Sequence, residues 1–98
     1  MSVIIDLAIF PVGRGDSVST HVARAVRLIR DSGLTHHTHA MGTLIEGELD
    51  DVMDVVHRCF TEMTGAGDRI YMTLKADYRK GPLGRLDGKL RSLESKLT

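Results

Sequence analysis

A chain of 98 residues has room for one domain and one hydrophobic core. With 42% hydrophobic and 27% charged residues it is not an intrinsically disordered sequence, and no apolar run approaches the ~20 residues of a membrane span. Thirteen basic and 13 acidic residues leave no net charge, which disfavours a general nucleic-acid binder.

Ser2–Phe10 (SVIIDLAIF) is rich in β-branched residues and predicts a first strand. Val3, Ile5, Leu7 and Ile9 point one way; Ile4, Asp6, Ala8 and Phe10 point the other. Pro11, Gly13 and Gly15 end it. Asp16, Ser17 and Ser19 are candidate N-caps for a helix whose apolar positions are Val18, Val22, Ala25, Val26 and Ile29, stopping at Gly33. Leu34–Ala40 predicts a second strand, Met41-Gly42 a tight connection, and Thr43–Glu48 a third strand returning as a hairpin. Asp50 or Asp51 opens a second helix with Leu49, Val52, Met53, Val56, Cys59, Phe60 and Met63 as its stripe. Gly65 and Gly67 end it. Arg69–Tyr78 alternates cleanly as a fourth strand, Ile70, Met72, Leu74 and Ala76 against Tyr71, Thr73, Lys75 and Asp77. After a break at Lys80–Gly84, Leu83, Leu86, Leu90, Leu93 and Leu97 recur at heptad-like spacing in a final helix.

The order is βαββαβ plus a tail helix, which predicts an α+β ferredoxin-like sandwich with an extra C-terminal helix. Residues 1–80 form the ferredoxin-like domain, and 81–98 a helix packing on the sheet or on a neighbouring subunit. The expected strand order is 4-1-3-2, with both helices on one sheet face. The other face then carries Asp6, Glu46 and Lys75 close together, and needs a cover. Sheet-to-sheet association into a homodimer or homotetramer is the expected remedy for so small a core. Residues 1–68 carry 5 Arg against 10 Asp/Glu, and residues 69–98 carry 8 Lys/Arg against 3 Asp/Glu. Such halves attract each other within or between chains.

A lone cysteine, Cys59, excludes a disulfide framework and multi-thiolate zinc sites; it falls in the helical stripe as a core residue. Met1–Phe10 contains Asp6 and lacks a basic leader, so a cytoplasmic location is expected, with no membrane partner. The loop PVGRGDSVS lacks the third glycine of a dinucleotide fingerprint and the Lys-Ser/Thr of a P-loop, and reads first as a capped turn. His37 and His39 share one face of the second strand while His36 takes the other, which is short of a metal site without a third ligand. A small metal-dependent enzyme built on His36–His39 is the alternative this leaves open. No Ser-His-Asp or Cys-His arrangement is supported by spacing. Asp6, Glu46, Lys75 and Asp77 read as an ion network or a polar pocket. The sheet offers only Phe10 and Tyr71 for base stacking, too few for a nucleic-acid surface.

Four pieces taken in order resemble the YkoF-like thiamine-binding family: the opening strand ending in Pro11-Val12-Gly13, then Gly15-Asp16-Ser17-Val18-Ser19, then Met41-Gly42-Thr43-Leu44-Ile45-Glu46-Gly47, then Lys75-Ala76-Asp77-Tyr78-Arg79. They span residues 1–80. The resemblance implies a ferredoxin-like fold, assembly through packed sheets, and single-domain members that form homotetramers. It implies binding of thiamine or its hydroxymethylpyrimidine part without chemical change, so no catalytic residue, metal or cofactor is expected. The candidate ligand residues are Phe10, Ser17, Met41, Thr43, Glu46 and Asp6. Glu46 or Asp6 would accept from the pyrimidine amino group or offset the thiazolium. Ser17 and Thr43 offer hydroxyls to ring nitrogens, and Phe10 a stacking face. A phosphorylated form would use the helix N-terminus near Asp16 and Ser17, with Asp16 opposing it.

Overall fold

The computed structural model describes residues 1–13 and 18–97. Its elements follow the expected order: β1 (Ser2–Pro11), α1 (Val18–Asp31), β2 (Thr35–His39), β3 (Gly42–Glu48), α2 (Leu49–Thr64), β4 (Ile70–Arg79) and α3 (Arg85–Leu97). The four strands form one antiparallel sheet in the order β2-β3-β1-β4. This is the ferredoxin-like arrangement with a helix added at the end.

β1 is central because its run of β-branched residues is buried from both sides. Val3, Ile5, Leu7 and Ile9 pack under α1 and α2 with Ile45, Ala25, Ile29, Val52, Val55, Val56, Cys59 and Met63. Two stripe residues depart from expectation. Met53 and Phe60 are 44% and 39% exposed, and Val55 takes the core position. They stand roughly 80–100° round the helix from the Val52–Val56–Cys59–Met63 line, beyond the reach of the sheet. α2 starts at Leu49, before the expected Asp50 or Asp51. Those two aspartates occupy its first turn, where carboxylates suit the positive helix end. α1 ends where Gly33 takes φ +78°, a left-handed backbone that other residues adopt at a cost. No helix among the described residues is long and apolar enough to cross a membrane.

Cys59 is fully buried, its Sγ 3.7 Å from the Ala25 carbonyl oxygen, and burial pushes its pKa up to about 11. The folded state therefore holds the proton while the unfolded thiol, near 9.0, releases it. Stability from this group is present below pH 9 and is lost as the pH rises toward 11. Urea midpoints measured from pH 8 to 11 are expected to fall more steeply for the native chain than for Cys59→Ala.

The tail helix meets the sheet only through its first turns. Leu86 is buried, whereas Leu90, Leu93 and Leu97 are 51%, 56% and 72% exposed. α3 lies on the sheet face opposite α1 and α2, near Ser2, Glu46 and Asp77. It covers one end of that face and leaves Tyr71, Thr73 and Lys75 exposed at the other.

Candidate functional site

Between α1 and the tip of the β2–β3 hairpin lies a cleft of about 290 Å³. Leu7 and Ile9 form its floor, and Val22, Val26 and Ile29 its helical wall. The reason is local: α1 carries Val and Ala where a longer Leu would reach the sheet. Val22 and Val26 are accordingly only half-buried, while Ala25 and Ile29 are in the core. The volume sits at the small end of the ~300–1,000 Å³ typical of ligand pockets.

The polar groups of the cleft come from the hairpin. Thr38 and Thr43 are cross-strand partners with their hydroxyl oxygens 3.5 Å apart, and Thr43 is 4% exposed. Each hydroxyl can donate or accept toward a ring nitrogen or an amino group. His39 stands at the rim with its protonation pattern set by two neighbours. Its Nδ1 accepts from the Met41 backbone N–H at 3.2 Å, so in the neutral ring Nε2 carries the proton and donates to Asp6 Oδ1 at 2.9 Å. Gly42 is required at the turn, because a Cβ there would stand 2.7 Å from the Leu7 carbonyl oxygen. No carboxylate, lysine or arginine lines the cleft among the described residues.

The six expected ligand residues separate into three groups. Phe10, Met41 and Thr43 border the cleft. The Phe10 ring is already paired with Tyr71 across β1 and β4, centroids 5.7 Å apart and tilted by 30°. Met41 is 81% exposed at the hairpin tip. Asp6 lies on the opposite sheet face and touches the cleft only through His39; Ser17 lies outside the described residues.

Glu46 is turned away from the cleft and is already engaged. It is 2% exposed and caps α3: Oε1 accepts from the Gly84 N–H at 3.1 Å, and Oε2 from the Arg85 and Leu86 N–H groups at 2.8 and 3.3 Å. A carboxylate at the positive end of a helix is favourably placed, and three donors offset its burial. The expected cluster of Asp6, Glu46 and Lys75 is therefore divided. Asp6 and Lys75 are cross-strand partners, while Glu46 and Asp77 serve α3. The hydrogen bond from Lys89 holds the Asp77 carboxyl below its usual range, and the charges of Lys89, Arg85 and Arg79 add to this. Arg85 Nη2 also donates to the Ser2 carbonyl and hydroxyl oxygens, both at 3.3 Å.

The histidine strand disperses its rings. The His36 Nδ1–H donates to the Leu34 carbonyl at 2.9 Å, His37 Nε2 meets Asp87 at 3.0 Å, and His39 meets Asp6. Among the described residues no three His, Cys, Asp or Glu side chains are grouped to hold a metal ion. Sequence reasoning missed Thr38 and the valine wall of α1. The run of small β-branched residues in α1 was a visible signal, but only packing shows that it leaves a void.

Comparison with known proteins agrees with the fold and shows the family. A UPF0045 protein from Mycobacterium bovis is 36% identical over 95 residues, covering 96% of this chain and 93% of the relative. A UPF0045 protein from Methanocaldococcus jannaschii is 32% identical over 91 residues, covering 93% and 91% of the two chains. The crystal structure of that archaeal protein superposes with a TM-score of 0.85 over 95% of this chain and 96% of the other. A Thermotoga maritima structure described in terms of thiamine biosynthesis or salvage shares the fold, with a TM-score of 0.78 at 20% identity over 92% and 99% of the chains. The family model for thiamine-binding proteins matches residues 5–94, a span that holds both the cleft and the docked start of α3, and this chain belongs to that family.

Proposed function

We propose that this chain is a non-enzymatic, cytoplasmic binder of thiamine or its hydroxymethylpyrimidine moiety, acting in uptake, storage or sensing of the vitamin. The ring enters the cleft between α1 and the β2–β3 hairpin. The observation that carries this reading is the pair of neutral hydroxyls, exposed Thr38 and buried Thr43, on the hairpin side of a mostly apolar cavity. An aminopyrimidine presents ring nitrogens that accept and an amino group that donates, and two hydroxyls satisfy both while the valine wall covers a ring face. Membership of the thiamine-binding family and the description of the Thermotoga neighbour in terms of thiamine biosynthesis or salvage support it. Of the candidate residues, Thr43 is proposed as the direct contact, Phe10 and Met41 as the rim, and Asp6 as the group that orients His39.

Calorimetric titration with hydroxymethylpyrimidine and with thiamine tests this. Saturable binding is expected, with the ligand recovered unchanged. Thr43→Val keeps the shape and removes the hydroxyl, so affinity is expected to fall roughly 5–10-fold, the value of one hydrogen bond. No heat from either ligand on the native chain would overturn the proposal.

We further propose that the chain works as a homodimer or homotetramer. The exposed row Leu90, Leu93 and Leu97, and the exposed Tyr71 on the sheet face, support this. Light scattering is expected to give twice or four times the chain mass, and a lower mass for Leu90→Asp/Leu93→Asp.

A further inference from the structure

The outer surface of α1 carries a second groove, lined by Ser19, Val22, Ala23, Val26, Arg27 and Arg30. It shares Val22 and Val26 with the cleft, so the two concavities meet over that pair of side chains. A ring in the cleft can therefore extend a substituent across Val22 and Val26 without leaving the protein surface. Arg30 stands roughly 40° round the helix and about 6 Å along it from Val26, at 3.6 residues per turn and 1.5 Å per residue. Arg27, next in the chain after Val26, stands about 100° round the helix and lines the same groove.

Both arginines are exposed, and among the described residues neither has an ion-pair partner. Arg24, Arg58 and Arg85 by contrast meet Glu62, Asp54 and Asp77. The charge around the cleft is thus one-sided. Among the described residues neither concavity is lined by a carboxylate, and Asp6, on the far side of His39, is engaged by that ring. Among the described residues the two concavities offer a cationic substituent no direct carboxylate, whereas an anionic one finds two guanidinium groups whose planar forks match phosphate oxygens.

We propose that the cleft selects the phosphate monoester of its ring ligand over the free alcohol, with the phosphate held at Arg30 and Arg27. This rests on the ring-binding reading given above and adds the charge class of the ligand. A phosphate monoester carries close to two negative charges at neutral pH. Because the arginines are solvated, each contact is modest, and the two together are worth roughly tenfold in affinity at low salt.

The test is calorimetric titration of the full chain at low and high salt. The probes are hydroxymethylpyrimidine and its phosphate, thiamine and thiamine monophosphate, and inorganic phosphate as a control. The native chain is expected to bind an ester roughly tenfold tighter than its parent alcohol, and the advantage is expected to shrink at 0.5 M salt by roughly the screening of exposed charges. Arg27→Gln/Arg30→Gln is expected to lose the advantage and to keep its affinity for the parent alcohol. A gain in the pyrimidine arm or in the thiamine arm supports the proposal and identifies which ester is meant. Equal affinity for ester and alcohol in both arms overturns it and leaves the ring-binding reading standing. An advantage that survives in the double variant overturns it by placing the phosphate elsewhere. Failure of all four ring ligands to bind overturns both readings together.

Discussion

Glu46→Ala is expected to lower the unfolding free energy by about 2–3 kcal/mol, the sum of a lost helix cap and a charge-assisted hydrogen bond. For a domain of this size that is a fall in Tm of roughly 10–15 °C. The carboxylate is 2% exposed and accepts from three backbone N–H groups at the start of α3. Alanine leaves those donors without a partner, and the first turn of α3 loses its strongest tie to the sheet. Arg85 and Lys89 still hold Asp77, so the chain is expected to fold. Trypsin supplies a second readout, because Arg85, Lys89 and Arg91 become cleavable once α3 lifts. Glu46→Gln keeps one acceptor oxygen and is expected to lose about half as much stability. An unchanged melting curve and unchanged proteolysis in Glu46→Ala would show that the cap does not hold the helix. The contrast with Thr43→Val is informative: one variant should lose stability and keep ligand binding, and the other the reverse.

Ile5→Ala is expected to cost about 3–4 kcal/mol, within the range for emptying a buried aliphatic site. Ile5 is fully buried in the central strand, directly between Ile45 of β3 and Ala76 of β4. Both neighbouring strands and both covering helices pack around that point, so little can collapse into the void. Domain stabilities are only ~5–15 kcal/mol, so this one substitution removes a large share. Urea denaturation monitored by circular dichroism reads it directly. Ile5→Val removes one methylene and is expected to cost about 1 kcal/mol. A loss below that for Ile5→Ala would mean that the sheet relaxes around the site.

Much of the fold was legible along the chain because period-2 and period-3.6 patterns are local properties. The alternation in β1 and β4 assigned Val3, Ile5, Leu7 and Leu74 to the helix side and Asp6 and Lys75 to the other, as observed. The α2 stripe was legible to within Met53 and Phe60, whose exposure depends on how far the sheet extends beneath the helix. The lining of the candidate cleft was less legible. Thr43 and Met41 stood out, since they belong to a motif, but Thr38 was hidden among histidines and acquires meaning only as the cross-strand partner of Thr43.

Glu46 shows the division most clearly. A carboxylate on an otherwise polar sheet face is chemically suited to a cationic ligand, and nothing within a few residues of it says otherwise. Its actual partners, Gly84, Arg85 and Leu86, are about 40 positions away and are brought to it by the return of the chain after β4. The amino-acid sequence by itself determined the element order, the strand faces, the composition of the core and the family, because these depend on residue type and spacing. The tertiary structure alone decided that Glu46 caps a helix, that the histidines find three separate partners, and that α1 stands off the hairpin to leave a cleft. Voids and long-range hydrogen bonds depend on where distant segments meet, and that is a property of the packed chain rather than of any stretch of it.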